Sequence, residues 1–416
     1  MAFLLALGAQ AQSGTNSPYS QYGIGLLSDA SQGFSRGMNG AGIGLRKGNI
    51  ANTLNPASYS AVDSLTMIFD MGVSGQITNF KEGATSINAR NTNFEYAVGS
   101  FRLFPKVGMS FGILPFSNVG YKYQSSSYLD SANGTITKTY NGSGGYRQAF
   151  IGAGWLLGRH LSIGANVSYL WGTTERTIQT SSTTSINSLK KDYKATVSSY
   201  KVDLGMQWQQ RLNAKNTLTL GATLGLGHKL GATPTCEIIN INAADTTTFQ
   251  VENGLALPVS YGVGLALSHD SKLIIDADFT LQKWGKIDFP AESAGTNGDY
   301  ALRSGLLKDR YQVKIGVDYV PNETDVRKFL NRIHYRCGIG YATPYYYING
   351  KEGPKELSAS AGFGIPLQNV YNNRSVLNIS AQWTRTAATG MIKENTFRIN
   401  IGLTFNERWF AKWKIE

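Results

Sequence analysis

From Leu65 to Phe405 apolar and polar residues alternate with a period of two. Leu65, Met67, Phe69, Met71 and Val73 are interleaved with Thr66, Asp70 and Ser74. Leu161, Ile163, Ala165, Val167, Tyr169 and Trp171 are interleaved with Ser162, Gly164, Asn166 and Ser168. Tyr311, Val313, Ile315, Val317 and Tyr319 face away from Gln312, Lys314, Gly316 and Asp318. This period puts alternate side chains on opposite faces of a β-strand. It predicts about fourteen strands, at 65–79, 93–105, 107–123, 145–157, 161–174, 194–211, 216–229, 255–269, 272–285, 310–320, 331–348, 356–367, 375–386 and 396–405. Short turns at Pro105-Lys106, Arg159-His160 and Asp270-Ser271 alternate with longer loops at 124–144, 175–192, 232–253 and 288–309.

A soluble sandwich alternates as well, so the content of each face decides between the two. One face is a run of five to seven apolar residues, often ended by Tyr or Trp, as at Tyr169, Trp171, Trp208, Trp284, Tyr319 and Trp383. The other face carries Asp70, Lys201, Asp203, Asp276, Asp278, Lys314, Asp318, Arg332, Arg336 and Arg398 among many Gly and Ser. Apolar outside, polar inside and aromatic at the rims describe a transmembrane antiparallel β-barrel, with short periplasmic turns and long extracellular loops. A closed wall also satisfies every backbone group, as a bilayer demands. A charge at outward Val263 or Ile315 is then expected to block assembly, and one at inward Gly264 or Gly316 to be milder.

The third predicted strand breaks its own pattern. Val107, Met109, Phe111 and Ile113 alternate, then Pro115-Phe116-Ser117-Asn118-Val119-Gly120 intervenes before Tyr121 and Tyr123. Proline cannot donate to a ladder, so this stretch predicts either a kink that opens the wall or a simple bend.

Ahead of the strands, residues 34–60 contain Gly37, Gly40, Gly42, Gly44 and Gly48, followed by Asn55-Pro56-Ala57. So many glycines hold neither helix nor strand unaided. The segment is either a linker or a piece ordered by enclosure within the barrel. Gly-rich strand stretches such as 221–227 suit a small wall face packed against such a piece. Residues 1–12 read as the back half of an export signal, with Ala9-Gln10-Ala11 as the small-residue site. The expected units are the residual signal at 1–12, an N-terminal extension at 13–62, the barrel at 63–406 and a tail at 407–416.

Composition adds exclusions. The 416 residues include 39 Lys+Arg against 27 Asp+Glu, a net charge of +12. No basic helix or cluster gathers that charge, so nucleic acid is not an expected partner. Cys236 and Cys337 lack metal-ligand spacing. The four histidines (His160, His228, His269 and His334) sit in no metal or nucleophile motif. No catalytic residue, metal or cofactor is expected. The inward Lys201, Lys314, Arg332, Arg336 and Arg398 either pair with inward aspartates or receive a ligand's anionic group.

Taken together, Arg36-Gly-Met-Asn-Gly-Ala41, Asn55-Pro56-Ala57, about fourteen strands and the interrupted third strand resemble the FadL-type family of outer-membrane transporters for long-chain fatty acids and other hydrophobic compounds. The start at 17–25 and the end at 405–416 resemble the family's branch in Bacteroidota. The resemblance implies a hatch in the lumen containing Arg36, Gly37, Gly40, Asn55, Pro56 and Ala57. It also implies a lateral gate at Pro115, Phe116, Ser117, Asn118 and Gly120. The expected function is passive uptake of a hydrophobic small molecule across the bacterial outer membrane, in contact with its lipid and lipopolysaccharide. The alternative is a non-transporting structural or accessory subunit of a larger outer-membrane complex for protein secretion or assembly.

Overall fold

The computed structural model describes residues 15–129, 134–182, 188–292, 299–325, 327–367 and 375–407. The expected signal remnant, and all of the expected tail except Glu407, lie outside them.

Fourteen antiparallel strands close into a barrel. They are β1 (Met67–Glu82), β2 (Thr85–Phe104), β3 (Val107–Leu129), β4 (Gly134–Leu157), β5 (Leu161–Ser182), β6 (Leu189–Arg211) and β7 (Asn216–Gly225). Then follow β8 (Ser260–His269), β9 (Leu273–Gln282), β10 (Arg310–Tyr319), β11 (His334–Ala342), β12 (Lys355–Leu367), β13 (Ser375–Ala387) and β14 (Lys393–Glu407). Each pairs with its sequence neighbours, and β14 closes on β1 from Met67–Glu407 to Lys81–Lys393.

The alternation separates the two faces. Outward Val263 and Ile315 are 54% and 41% exposed, whereas inward Asp276 and Asp318 are 0% and 1% exposed. An apolar surface over a buried polar interior inverts the soluble arrangement and identifies the outside as the lipid face. Tyr319, Tyr335 and Phe363 stand side by side across β10, β11 and β12 as one stretch of the aromatic girdle.

The strands fall into two length classes. Strands β7 to β11 have nine or ten residues. At about 3.3 Å per residue, that suffices to cross a bilayer at a tilt. Strands β2 to β6 have 20 to 24 residues and continue far beyond the apolar band. Most of the expected loops 124–144 and 175–192 are therefore ladder, for example Gln124–Thr139 and Thr177–Asp192. Outside the bilayer neither face needs to be apolar, so the Ser/Thr-rich extensions lose the period that marks a strand. The 232–253 loop likewise contains a hairpin, Thr235–Asn240 with Asp245–Gln250, which continues the sheet from β6.

Three expected strands are too long. The wall stops at Gly225, resumes at Ser260, and β11 spans only His334–Ala342. The apolar residues beyond those ends turn inward. Leu230, Leu255, Leu257, Tyr345 and Tyr346 join Tyr19, Ile24 and Trp284 in one buried cluster at the long-strand end.

The chain from Thr15 to Val62 lies inside the barrel, and most of it is buried. Its regular elements are short: 3₁₀ turns at Pro18–Gln21 and Pro56–Ala61, a two-residue strand at Leu26–Leu27, and one helical turn at Gly33–Gly37. The wall supplies most of the remaining order.

Candidate functional site

Arg36, on the helical turn, is 5% exposed and bonds Glu95 of β2 at 2.9 Å. It also donates to the carbonyls of Ser31 and Asp29 and to Asn400 Oδ1. Glu95 faces inward because β2 bulges there. Gly72 pairs with Tyr96 and Val73 with Phe94, so Glu95 is the extra residue and shares the inner face with Tyr96. A bulge re-aims a side chain in this way. Tyr96 donates to Asp70 and lies 5.6 Å from the Arg36 guanidinium. Nearby, Gly37 carbonyl accepts from Ser360. Asn39 and Gly40 take left-handed φ of 56° and 78°, which turns the chain.

Past that turn, the amides of Gly42 and Ile43 both donate to Asp278 on β9, at 2.7 and 3.0 Å. Gln207 on β6 donates to the carbonyls of Ile43 and Leu45. Asn55 caps the 3₁₀ turn by accepting from Ala57 N–H, with Pro56 at the first position, where its missing N–H costs nothing. The Asn55 amide donates to Ile43 carbonyl at 3.0 Å and to Met206 carbonyl at 3.1 Å. The Asn-Pro-Ala segment is thus fixed by its own cap and by the wall together.

Small wall residues make this approach close. A Cβ at Gly108 would stand 1.8 Å from Tyr59 carbonyl oxygen, and one at Gly221 would stand 2.2 Å from Ile43 carbonyl oxygen. The expectation that a charge at inward Gly264 or Gly316 is the milder change meets the same close approach. A Cβ at Gly264 would lie 2.7 Å from the Gly44 amide, and one at Gly316 would lie 2.4 Å from Met38 Cβ.

At Pro115 the third strand is irregular. Pro115 pairs with Arg147 and Ser117 with Tyr146, which leaves Phe116 as a bulge. On its other side, β3 pairs with β2 only from Val107–Phe104 to Ile113–Ala97. Beyond that point β2 and β3 diverge, each with its own bulge, at Glu95 and at Phe116. The N-terminal segment occupies the freed edge of β3. Leu26 and Leu27 pair with Asn118 and Ser117, and Ser28 N–H donates to Phe116 carbonyl. Gly120 N–H donates to Ser20 Oγ, and Tyr123 hydroxyl to Gln21. Asn16 reaches the opposite lip and donates to Asn91 of β2 at 2.8 Å.

Of the expected inward cations, Lys201, Lys314 and Arg336 meet aspartates and Arg398 meets a neutral amide. Lys314 meets Asp29 at 2.9 Å, Lys201 meets Asp203, and Arg398 donates twice to Gln76. Arg336 bonds Asp318 at 2.9 Å and Asn378 at 2.6 Å, beneath the ring of Phe34. Burial alone would raise the Asp29 carboxyl, but Lys314 and Arg36 outweigh it and hold it well below the usual carboxylate range. Arg332 corrects the expectation. It belongs to the 3₁₀ turn Phe329–Arg332 before β11, at the short-turn end, with its guanidinium over Phe329 and away from the lumen. The polar alternation that suggested an inward side chain starts one turn too early, because β11 begins only at His334.

Beneath the buried apolar cluster that caps the long-strand end, and against the N-terminal segment, lies a cavity of about 430 Å³. Lys201, Asp203, Asp278, Lys314, Glu394 and Arg398 line it together with many Ser, Thr and Gln. Leu26, Leu27, Leu114, Pro115 and Phe116 give it one apolar side, at the β2–β3 seam. Glu95, Gln207 and the Leu26–Leu27 strand carry this site but left no mark in the sequence, and Asp278 is legible there only as one inward acid among several. An acid that faces inward through a bulge and a two-residue strand have no period to detect.

The model of the BamG family matches residues 1–416. No curated protein matches this chain. Among solved structures, the Pseudomonas putida toluene transporter TodX aligns with a TM-score of 0.60 at 16% identity, over 92% of this chain and 100% of that one. A Pseudomonas aeruginosa FadL homologue gives 0.61 at 11%, over 91% and 98%. The Ralstonia pickettii toluene transporter TbuX gives 0.58 at 12%, over 92% and 98%. At these identities the likeness is one of fold: a FadL-type barrel.

Proposed function

This chain belongs to the BamG family, and from that premise we propose that it is a non-transporting accessory subunit of a larger bacterial outer-membrane complex. The observation that carries the reading is how the lumen is filled. The N-terminal segment is bonded to β2, β3, β6, β9, β10, β12 and β14. The space it leaves has a mixed lining, in which charged Lys201, Asp203, Asp278, Lys314, Glu394 and Arg398 interrupt the apolar side chains. A hydrophobic ligand gains affinity by leaving water for apolar surface, and here it would also strip water from those charges. Bonds to charged groups, as at Arg36–Glu95, Lys314–Asp29 and Asp278 to two amides, contribute about 1.5–3 kcal/mol each. A passive ligand would have to supply that energy to move the segment.

One observation favours the second reading, a channel for hydrophobic compounds. The β2–β3 ladder ends at Ala97–Ile113, and the cavity reaches the apolar lip of that seam. Two measurements separate the readings. The subunit reading expects the native protein to co-purify in mild detergent with other outer-membrane proteins at fixed stoichiometry. It also expects the isolated barrel, reconstituted in vesicles, to pass no hydrophobic probe such as a fluorescent fatty acid or toluene. Saturable uptake by the isolated barrel would establish the channel instead.

A further inference from the structure

The described turns at the short-turn end have two to four residues, except the fourteen-residue connection from β10 to β11. A connection that exceeds what closure of a hairpin needs is where added function is sought. It is rigid by its own bonds. Asp325 accepts from the amides of Arg327 and Lys328 at 2.9 and 3.1 Å, and from the Asn331 side chain at 2.6 Å. Asn322 N–H donates to Asn331 carbonyl at 2.8 Å.

This ordered loop exposes its apolar residues. Phe329 is 48% exposed and Leu330 is 65% exposed. Arg327 and Lys328 are exposed beside them, and Arg332 lies 5.5 Å over the Phe329 ring. Nε and Nη1 of Arg332 are buried without a hydrogen-bond partner, so the exposed positive charge of the loop is that of Arg327 and Lys328. One contact fixes where the loop points. Tyr335 hydroxyl donates to Leu330 carbonyl at 3.2 Å. Tyr335 is a girdle residue, packed edge-on against outward Phe363 at 5.8 Å. The Phe329–Leu330 part of the loop therefore lies against the lipid-facing rim of the wall, while Glu323 at its start turns toward inward His334 at 3.7 Å.

We propose that the β10–β11 loop is a membrane anchor, in which Phe329 and Leu330 enter the periplasmic leaflet while Arg327 and Lys328 hold anionic phospholipid headgroups. The apolar pair extends the girdle without a break, and the basic residues stand where phosphates lie. Both are the features by which interfacial segments bind anionic membranes. The long Arg and Lys stems reach the headgroup level while the aromatic ring stays in the acyl boundary. The inference needs the barrel to span a membrane but is independent of what the barrel does there.

The test places an environment-sensitive fluorophore by Leu330→Cys, in a Cys236→Ser, Cys337→Ser background checked for heat-modifiable migration. An Arg159→Cys reporter in a short turn serves as control. Barrels are reconstituted in phosphatidylcholine vesicles, with or without roughly a third of phosphatidylglycerol. The anchor expects the loop label to be quenched by doxyl-bearing lipid and to be several-fold less accessible to iodide than the control. It expects that protection to deepen with phosphatidylglycerol, and the added protection to vanish in Arg327→Gln, Lys328→Gln. Iodide reaching both labels equally would overturn insertion and leave the loop as a surface for a soluble protein. Equal protection in both lipids would overturn the headgroup role.

Discussion

The Arg36–Glu95 pair gives the sharpest test of how the lumen is sealed. Both side chains are under 10% exposed, and the pair joins the N-terminal segment to the wall at the β2 bulge. Arg36→Met keeps the length of the side chain but leaves the Glu95 carboxylate buried beside Ser74, without its counter-charge. Removing one partner of a buried pair costs about 3–5 kcal/mol, chiefly through the charge left behind. That is a rise of about 10²- to 4 × 10³-fold in the undocked population at 1.4 kcal/mol per decade. The wall ladder is untouched, so heat-modifiable migration should persist. The freed segment should become cleavable by trypsin, for example after Arg46 or Lys47, and the barrel should conduct ions in a planar bilayer. Arg36→Met with Glu95→Gln removes the stranded charge and should recover most of the loss, because a neutral pair of similar shape is nearly as stable as the ion pair. If the single and double variants leak equally, the ion pair is not what docks the segment. If neither leaks, the segment is held elsewhere and the reasoning fails.

Other perturbations test the wall and the segment separately. Gly108→Val should expose the segment to protease, since even a Cβ overlaps Tyr59 carbonyl at 1.8 Å, whereas Gly75→Ala, with nothing within 4 Å, should behave as wild type. Ile315→Arg puts a charge against lipid and should cost about 2–4 kcal/mol near mid-depth, read as a lower urea midpoint in refolding. Asp29 titrates below its ordinary value, so its bond to Lys314 is intact above about pH 4 and is lost only as pH falls through the depressed value. Protection factors at residues 25–30, with the intrinsic pH dependence of amide exchange divided out, should be unchanged between pH 5 and 8 and fall in stronger acid, and Asp29→Asn should abolish the acid step.

What the sequence discloses follows from which solvent each face meets. Within the bilayer every outward residue must be apolar, so Val263, Leu265, Ile275 and Ile315 keep strict period, and the number of strands can be counted from it. Beyond the bilayer that demand lapses, and the outer halves of β3 to β6, rich in Ser and Thr, are hidden. At the wall's ends the period misleads. Leu255 and Leu257 are apolar because they fill a cap, and Arg332 precedes its strand instead of lining the lumen. In the N-terminal segment, Arg36 and Asn55-Pro56-Ala57 stand out by composition and turn chemistry. Their partners Glu95, Asp278 and Gln207 are set by register and a bulge, which arise only when the barrel closes.

The seam between β2 and β3 brings these strands of argument together. Two bulges on facing strands part the wall, and an unpaired edge at membrane depth would leave backbone donors and acceptors unsatisfied at several kcal/mol each. Here the edge of β3 is not left bare. Leu26, Leu27 and Ser28 continue the ladder to Phe116, Ser117 and Asn118, and Ser20 takes the amide of Gly120. The strand that repairs the wall is part of the segment that fills the lumen, and the Asp29–Lys314 bond joins the two roles one residue further on. Opening the seam and emptying the lumen are therefore coupled. Between the 430 Å³ cavity and the seam stand a ladder, Leu26–Leu27 with Ser117–Asn118, and the half-buried Asp29–Lys314 pair. In a barrel so stitched, the kink at Pro115 serves as the socket for the chain's own N-terminal strand.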